Sequence, residues 1–440
     1  MKIAFVNQPI DTILPPYQTS VGACTYGVAK ALARSCEVVV YGLQDRHGTV
    51  DETSSLDGIH FRFIPSERSD RLLWSIRSQM STFVRLHSPA SSSHWTFPSF
   101  GRKVAEDLQQ QKCDVIHLQH CSQYVPVIRA LNPRAKLVLH LHAEWFSQNG
   151  SSVLERRLRQ VDLVTAVSDF VRDKVRRSFP FVANRCETTY NGVDSDDFSR
   201  NRTEFIRPSP IKRILYSGAV SPHKGIHVLL EAFKVVLKRH PHTQLDIVGF
   251  QGNYGIEETF DLKDTESLKA VKPYYAKHYV SRLKAKAGLG PAEAGTYIAY
   301  LKERAADISD RVAFLGFVPR PELLDRYFSA HVFAFPPIWD EGFGIPPVEA
   351  MAAGVPVVAS RSGALPETVQ HKHTGLLVPR NDSSALAEAL LELLGDDARR
   401  ESMGLAARQR ALTTFTWQNV ARDMRARYDV LCERTSAVDA

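Results

Sequence analysis

Short apolar runs alternate with helical patterns along the first half of the chain, and this alternation constrains the fold more than any other feature of the sequence. Runs of this length and composition are typical of buried strands. Strands that alternate with helices predict βα units on a parallel sheet, in which ligands bind at the carboxyl ends of the strands. The predicted elements of this half are strands at Lys2–Asn7, Glu37–Tyr41, Val115–Leu118, Lys136–His142 and Leu163–Val167, and helices near Tyr26–Arg34, Arg102–Gln110 and Phe170–Arg177.

Length and composition indicate a two-domain globular protein. The 440 residues exceed one ordinary core and suit two domains of roughly 200 residues each. Hydrophobic residues make up 44% and charged residues 23%, which is ordinary for a water-exposed globular chain. The net charge of +7 comes from basic residues interleaved with acidic ones, so we expect a mixed solvated surface and no nucleic-acid partner.

The cysteines and the apolar segments indicate the cellular compartment. Six cysteines lie scattered without a C-x-x-C pair, so neither a disulfide scaffold nor a zinc site is indicated. Met1–Val6 has the pattern of a strand rather than a signal peptide, and no apolar run is long enough for a transmembrane helix. We therefore expect a cytoplasmic protein. The basic amphipathic stretch Ser66–Ser81 fits a helix packed on its own domain, and it leaves peripheral contact with the inner membrane face as an alternative.

The stretch Trp339–Glu349 is the strongest functional signal in the chain. It follows the apolar run His331–Phe335, which predicts a buried strand, and it precedes a small-residue helical segment at Val348–Gly354. Between them lie two glycines, which let backbone approach a ligand, and two prolines, which the first turn of a helix tolerates. A strand, a glycine loop and a helix N-terminus in this order predict a phosphate site.

Two carboxylates, Glu341 and Glu349, bracket this junction. The acid/base pair of a glycosidase needs carboxyl groups roughly 5–9.5 Å apart. Eight helical residues span about 12 Å at about 1.5 Å each, so the spacing better suits hydroxyl-rich groups on both sides of a diphosphate. A nucleotide-sugar has this shape. The alternative is a capped helix whose glutamates face water.

Two features of the first half are candidates for a site. The loop Gln8–Gly22 follows the first predicted strand, and it lacks the G-x-G-x-x-G pattern of a dinucleotide-binding dehydrogenase. A later strand ends in His140-Leu141-His142, whose two histidines share a face. Without a third ligand, this pair is a weak metal signal. His140 is equally well explained as a core histidine with a satisfied hydrogen bond.

Four ordered motifs of the second half together resemble the C-terminal domain of family 4 glycosyltransferases, which are retaining enzymes of the GT-B fold. The motifs are Glu341-Gly342-Phe343-Gly344…Glu349, Ala353-Gly354-Val355-Pro356-Val357-Val358-Ala359-Ser360, Gly363-Ala364-Leu365-Pro366-Glu367 and Thr374-Gly375-Leu376-Leu377-Val378-Pro379. The resemblance implies an α/β architecture of two Rossmann-like parallel-sheet domains that face each other across a cleft, with a C-terminal helix that crosses back to the N-domain.

The domain limits follow from the same resemblance. An N-terminal acceptor-side domain is expected at 1–200, with a linker at 199–210. A nucleotide-sugar-binding domain follows at 211–415, and the crossover helix and tail at 416–440. An insertion at 250–309 departs from the family pattern. Acceptor recognition, oligomer contact and surface decoration are all open as its role, with decoration favoured.

The resemblance also implies roles for individual residues. Glu341 would hold a hydroxyl of the donor sugar, Lys224 the diphosphate and Glu349 the ribose hydroxyls. His142 would orient the sugar, and Glu144 is a candidate for acceptor contact. The remaining positions are Gly342, Phe343, Gly344 and Ile345, whose amides would stabilise the leaving phosphate, Gly22 in the N-domain glycine loop, and Phe317 and Val318 beside the nucleotide base.

The sequence departs from the family pattern at two of these positions. The family clamps the diphosphate with an arginine and a lysine, and the arginine position is Ala219 here. Loss of a charge-assisted donor costs on the order of 1.5–3 kcal/mol of phosphate binding unless another cation substitutes, for which Arg361 and His223 are candidates. The N-domain loop carries only Gly22 where the family has adjacent glycines.

The resemblance thus implies a retaining glycosyltransferase that takes a hexose-type sugar from a nucleotide-diphosphate donor, UDP being favoured over GDP or ADP. The acceptor would be a sugar, a lipid-linked or a small molecule, in glycan, glycolipid or glycoside biosynthesis. No metal or cofactor is expected. The alternatives are a non-catalytic nucleotide-sugar-binding or partner subunit, and a sugar-phosphate synthase.

Overall fold

The computed structural model describes residues 1–44, 52–83, 96–143, 152–205, 211–249, 266–274 and 296–436. The chain forms two compact units, of which the first comprises Met1–Gly192 with Thr416–Ala440 and the second comprises Val193–Phe415. The division falls earlier than the predicted linker at 199–210. Residues beyond Val193 already pack within the second unit, since Phe198 is fully buried and its ring lies 6.1 Å from that of Phe328.

The described elements of the first unit are strands joined mostly by helices. The strands are β1 (Lys2–Val6), β2 (Glu37–Leu43), β3 (Thr53–Leu56), β4 (Ile59–Ile64), β5 (Val115–Gln119), β6 (Lys136–Leu141), β7 (Leu163–Ala166) and β8 (Cys186–Thr188). The helices are α1 (Ser20–Leu32), α2 (Arg68–Phe83), α3 (Pro98–Gln111), α4 (Val125–Leu131), α5 (Ser152–Leu158) and α6 (Asp169–Ser178), with the C-terminal helix named below.

The sheet of the first unit runs in the order β3-β4-β2-β1-β5-β6-β7-β8, and the described pairs are parallel except for β3 with β4. The chain order reverses between β1 and β5. In open α/β sheets, a ligand crevice opens at such a switch point, beside the carboxyl ends of the strands.

The second unit repeats this plan. Its strands are β9 (Lys212–Ser217), β10 (Thr243–Val248), β11 (Val312–Gly316), β12 (Val332–Phe335), β13 (Val357–Ser360) and β14 (Gly375–Val378). Its helices are α7 (Ile226–Arg239), a helical segment at 266–274, α8 (Tyr297–Arg304), α9 (Arg320–Ser329), α10 (Ile345–Ala352), α11 (Leu365–Thr368), α12 (Ser383–Gly395) and α13 (Asp397–Thr414).

The strand order of the second unit is β11-β10-β9-β12-β13-β14, with every pair parallel among the strands described. This sheet has its switch point between β9 and β12. The side chains of β12 and β13 are fully or almost fully buried, which explains why these strands are continuous apolar runs in the sequence.

The last helix, α14 (Trp417–Ser436), belongs to the first unit. Val420, Met424 and Tyr428 lie on one helical face and join the core formed by β1, β2 and α1. The Tyr428 hydroxyl lies 2.5 Å from Nδ1 of His117 in β5. The predicted fold class is therefore confirmed: two Rossmann-like parallel-sheet domains, with the C-terminal helix returning to the first.

Two differences from the predicted elements have local causes. Helix α1 begins at Ser20, before the predicted Tyr26, because the Thr19 side chain accepts a hydrogen bond from the Gly22 amide and caps the first turn. The hairpin of β3 and β4 was not predicted, since β3 (Thr-Ser-Ser-Leu) is a polar, largely exposed edge strand. Over the part of the chain that the structure describes, no helix is both long and apolar enough to cross a membrane.

Candidate functional site

Lys224 and Glu341 meet at the switch point of the second sheet. Lys224 lies in the loop that follows β9, and Glu341 lies in the loop that follows β12. The Lys224 Nζ atom is 2.6 Å from Glu341 Oε2, and the two side chains are only 14% and 12% exposed. Because both loops leave the carboxyl ends of adjacent strands, the topology itself brings this cation and this anion together.

The turn that carries Lys224 is fixed by close backbone contact. Gly225 has φ +71°, and a Cβ at this position would lie 1.9 Å from the Pro336 carbonyl oxygen, so a glycine is required here. The Ile338 amide donates to the His223 carbonyl over 2.8 Å. The Lys224 ammonium group also lies 4.9 Å from the centre of the Trp339 ring, a cation–π contact. The two loops therefore form one bonded platform.

Glu341 is held by the loop that follows β13. Its carbonyl accepts from the Ala364 amide over 2.8 Å, and its carboxylate accepts from Trp339 Nε1 over 3.2 Å. Gly363 has φ +51°, and a Cβ there would lie 2.2 Å from the Glu341 carbonyl oxygen. This glycine belongs to one of the four motifs of the sequence, and its lack of a side chain lets the two loops touch.

Glu349 lies within α10 and takes part in a network of charges. One carboxylate oxygen is paired with Arg320, and the other accepts from the Tyr327 hydroxyl over 2.9 Å. Arg320 also donates to Asp197 Oδ2 over 2.9 Å from Nε. Burial opposes the charge of Arg320, but the two carboxylates outweigh it and raise the pKa of Arg320 above its ordinary value. Burial and the nearby Glu349 charge raise the pKa of Tyr327, which stays protonated and donates.

The glycine loop leads directly into α10. The helix begins at Ile345, three residues before the predicted Val348, and Gly344 caps it with φ +85°. No side chain caps its first turn. Phe343 is buried, with its ring 5.7 Å from that of Phe415, so its side chain serves packing within this unit. Only the backbone of Phe343 can therefore serve the predicted phosphate contact.

The predicted base-contact residues, Phe317 and Val318, follow β11. The Phe317 side chain is 48% exposed, whereas Val318 is 7% exposed. The Phe317 ring thus lies at the carboxyl edge of the sheet with about half of its surface exposed, and the buried Val318 leaves its backbone for the predicted contact.

Of the two residues that could replace the missing arginine as a cation, His223 is excluded and Arg361 is not. Ala219 accepts a hydrogen bond from the Tyr216 hydroxyl through its carbonyl, over 2.9 Å. Burial and the neighbouring Lys224 charge lower the pKa of His223 well below its usual range, so its ring is neutral near pH 7 and cannot be the substitute cation. Arg361 is exposed and follows the last residue of β13, where it remains a candidate.

Gly22 and His142 belong to the first unit. A Cβ on Gly22 would lie 2.0 Å from the Thr12 carbonyl oxygen, so the glycine is required by the loop that precedes α1. His142 Nε2 lies 2.7 Å from Gln119 Oε1, and burial lowers the pKa of His142 to about 4. Its neutral ring lines a small pocket of about 20 Å³ beside Gln119 and Asn191.

His140 is a core histidine, as one of the two interpretations had it. It is 5% exposed, and its Nδ1 lies 2.9 Å from the Thr165 hydroxyl. Within the described ranges, no group of three His, Cys, Asp or Glu side chains is placed to hold a metal ion. Glu144, the acceptor candidate, lies outside the described residues.

Sequence reasoning missed the residues that hold the glutamates in place. The partners of Glu349 are Arg320, Tyr327 and, through Arg320, Asp197, and the Arg320–Asp197 contact joins residues 123 positions apart in the chain. A contact over that distance leaves no local pattern. Trp339 was within the stretch singled out, and its position two residues before Glu341 is the signal that would have identified it.

Two family profiles match consecutive parts of the chain. The profile described as Glycosyltransferase Family 4 matches residues 21–197, and the profile described as Glycosyl transferases group 1 matches residues 197–410. Together they span both units.

Individual proteins similar to this chain agree with these matches. The protein YtcC of Bacillus subtilis (strain 168) is 26% identical over 387 residues, which cover 85% of this chain and 86% of YtcC. A GDP-mannose-dependent alpha-(1-6)-phosphatidylinositol monomannoside mannosyltransferase of Mycobacterium tuberculosis (strain ATCC 25618 / H37Rv) is 30% identical over 292 residues, 61% of this chain and 62% of its own length. The structure of HepE from Anabaena in complex with UDP is similar in fold, with a TM-score of 0.68 at 18% identity over 98% of this chain and 100% of HepE.

Proposed function

Since the chain belongs to the group 1 glycosyltransferases of family 4, we propose that it transfers a hexose-type sugar from a nucleoside-diphosphate donor with retention of the anomeric configuration. This proposal rests on the ion pair of Lys224 with Glu341, which lies at the switch point of the second sheet. Glu341 shortly precedes the first residue of α10 in the chain. A buried cation, a carboxylate and a helix N-terminus at one such point suit a ligand that combines a diphosphate with a sugar.

Lys224 supplies positive charge for the diphosphate in this proposal. An ammonium group has three donors, so Lys224 can keep its bond to Glu341 and still donate to a phosphate oxygen. The amides at the start of α10 add the positive end of the helix dipole. Charge that develops on the leaving phosphate is thereby stabilised, which is often the largest single contribution to catalysis of this kind.

Glu349 and Glu341 hold the two ends of the donor. Arg320 and Tyr327 fix the Glu349 carboxylate, and we propose that it accepts from the ribose hydroxyls. Glu341, fixed through its backbone and by Trp339, accepts from a hydroxyl of the transferred sugar. The predicted contact of His142 with that sugar is part of the same proposal.

No carboxylate base is assigned to the acceptor hydroxyl. In the proposed reaction, the acceptor attacks the face from which the phosphate departs, the leaving phosphate takes the proton of the acceptor, and a nucleoside diphosphate is released. The acceptor is proposed to be a sugar, a lipid-linked or a small-molecule hydroxyl compound.

The donor base is proposed to be uridine. Binding of UDP by the structurally similar HepE supports this choice, whereas the similar mycobacterial mannosyltransferase is GDP-mannose-dependent. A thermal-shift panel of UDP-, GDP- and ADP-sugars separates these donors. The proposal expects the largest stabilisation with a UDP-sugar, and a response to GDP-mannose alone would replace uridine by guanosine.

Turnover tests the proposal as a whole. Purified protein is expected to hydrolyse or transfer the sugar of the donor that the panel selects. Glu341→Ala is expected to lower this rate about a hundredfold, because the variant loses the group that positions the transferred sugar. Circular dichroism must show the variant to be folded. Donor binding without any turnover in the wild type would favour the non-catalytic subunit, for which Ala219 in place of the clamp arginine is the specific argument.

A further inference from the structure

The described parts of the insertion at 250–309, which are residues 266–274 and 296–309, contact the loop after β12 and the first turn of α7. We propose that its described parts, the helical segment 266–274 and α8, form a support that fixes both loops in the geometry needed for the donor, with Ser267 and Tyr297 as positioning residues. This inference rests on the proposed function, because it takes Lys224 and Glu341 as the donor-binding pair.

Ser267 fixes the loop that follows β12. It is 4% exposed, and its hydroxyl donates to the Ile338 carbonyl over 3.1 Å. The amide of Ile338 donates in turn to the His223 carbonyl over 2.8 Å. Ile338 lies three residues before Glu341, and His223 directly precedes Lys224. The Ser267 hydroxyl is therefore linked through Ile338 to the backbone near both residues of the ion pair.

Tyr297 fixes the turn that follows β9. Helix α7 has Gly225 as its N-cap and receives no capping bond from that position. The Tyr297 hydroxyl accepts from the His227 amide over 3.2 Å and lies 2.7 Å from His227 Nδ1. A hydroxyl oxygen that accepts a hydrogen bond from the second amide of the helix has the role of an N-cap side chain. The insertion thus supplies the cap of the helix that begins directly after Lys224.

An aromatic cluster joins the two described parts of the insertion to α7. The Tyr274 ring lies 4.5 Å from that of His227, 5.7 Å from that of Tyr297 and 5.2 Å from that of Tyr300. Val271, one turn before Tyr274, is fully buried. Because these rings pack on one another and on α7, the segment that carries Ser267 is held against the site rather than extended into solvent.

These contacts argue against a decorative insertion. Decoration would place exposed side chains on the surface, whereas Ser267 and Tyr297 are both 4% exposed. Each forms a hydrogen bond with a backbone group three residues away from a predicted donor-binding residue, Ile338 before Glu341 and His227 after Lys224. Removal of the Tyr297 hydroxyl takes away the acceptor of the His227 amide, and removal of the Ser267 hydroxyl leaves the Ile338 carbonyl with only the longer bond from Arg380, at 3.4 Å. Either change loosens a loop that must hold its ligand-binding group to within a fraction of an ångström.

The experiment compares the wild type with Ser267→Ala, Tyr297→Phe and the conservative variant Ser267→Thr. Thr243→Val is the matched control, since it removes a buried hydroxyl that donates to the His240 carbonyl over 2.9 Å at the opposite, amino-terminal end of β10. Two quantities are measured: hydrogen exchange of the amides of His227 and Ile338 in the full chain, and the Kd of UDP by calorimetry.

We expect Ser267→Ala to speed exchange at Ile338, Tyr297→Phe to speed it at His227, and both to raise the Kd of UDP about three- to tenfold. Ser267→Thr should recover wild-type values, and Thr243→Val should change neither quantity. Wild-type exchange at both amides in Ser267→Ala and Tyr297→Phe would overturn the support role. If the wild type binds no UDP but the variants show the expected changes in exchange, the result would refute the proposed uridine donor and leave the support role standing.

Discussion

The Lys224–Glu341 ion pair is the residue-scale feature with the clearest consequence. Both side chains are mostly buried, so removal of one partner leaves an uncompensated charge in a poorly solvated place. Lys224→Met is expected to lower the free energy of unfolding by about 3–5 kcal/mol, and the double variant Lys224→Met/Glu341→Gln to recover most of that loss. Urea unfolding of the three proteins checks this.

Lys234→Met provides the control for this comparison of single and double variants. Lys234 pairs with Asp307 over 2.8 Å, but the Asp307 side chain is 63% exposed, so water replaces the lost partner and the unfolding midpoint should hardly move. A double variant that is no more stable than Lys224→Met would show that the pair itself is not what stabilises these loops.

The buried histidines of the first unit make its stability depend on pH. Burial lowers the pKa of His117 to about 3 and that of His142 to about 4, and it holds the pKa values of His120 and His140 well below their usual range. The unfolded chain therefore takes up more protons than the folded one as pH falls below about 6.5. Stability should be complete above that pH and be lost progressively towards pH 4.

Urea midpoints between pH 7.5 and 4.5 test this expectation. His117→Gln should flatten the dependence, because one titrating group is lost. Tyr428→Phe removes the partner of His117 but no histidine, so its curve should be lower and equally steep. A wild-type midpoint that stays constant over this range would contradict the assignment of neutral, buried rings.

At the scale of elements, the close contact of Gly225 with the loop after β12 can be tested by substitution. The control is a second glycine that has a similar φ angle but no such contact. Gly225 and Gly316 have φ values of +71° and +66°, but a Cβ on Gly225 would lie 1.9 Å from the Pro336 carbonyl oxygen, whereas one on Gly316 meets nothing within 4 Å. Both alanine variants carry the strain of a positive φ, and only Gly225→Ala adds a clash. We expect Gly316→Ala to be mildly destabilised and Gly225→Ala to lose roughly a further 1–3 kcal/mol.

Thermal unfolding of the two variants gives the comparison. Equal losses of stability in both would mean that the loops after β9 and β12 can separate without cost, which contradicts the platform inferred around Lys224.

Helices, strands and loops could be predicted from the sequence where both faces of a strand are buried or where a motif is contiguous in the chain. Strands β12 and β13 are apolar runs because both of their faces are covered, and the glycine loop before α10 is read directly from Gly342 and Gly344. The support from the insertion was not predictable, since Ser267 and Ile338 are 71 residues apart. The neutral state of His223 was equally hidden, because burial by the surrounding chain determines it.

At the scale of the whole molecule, the first unit is built from both ends of the chain. Gly27 in α1 faces Trp417 in α14 so closely that a Cβ would lie 2.3 Å from the indole Nε1. Gly27→Ala should displace the ring and lower the free energy of unfolding by about 1–3 kcal/mol. Gly395→Ala, a glycine at the end of α12 with nothing within 4 Å of a built Cβ, should not destabilise the chain.

Tryptophan fluorescence followed during thermal unfolding reports on this contact. An unchanged transition in Gly27→Ala would mean that α14 does not pack on α1 as described. The return of the last helix is a long-range feature that the family resemblance did predict, because it is a property of the architecture rather than of a local pattern.

A crystal structure of the protein with UDP tests the central claim most directly. We predict that the ribose hydroxyls lie within hydrogen-bond distance of the Glu349 carboxylate, and that the β-phosphate lies between Lys224 Nζ and the first amides of α10. Nucleotide bound elsewhere on the second unit, or bound at the switch point between β9 and β12 without contact to Glu349 and Lys224, would contradict it.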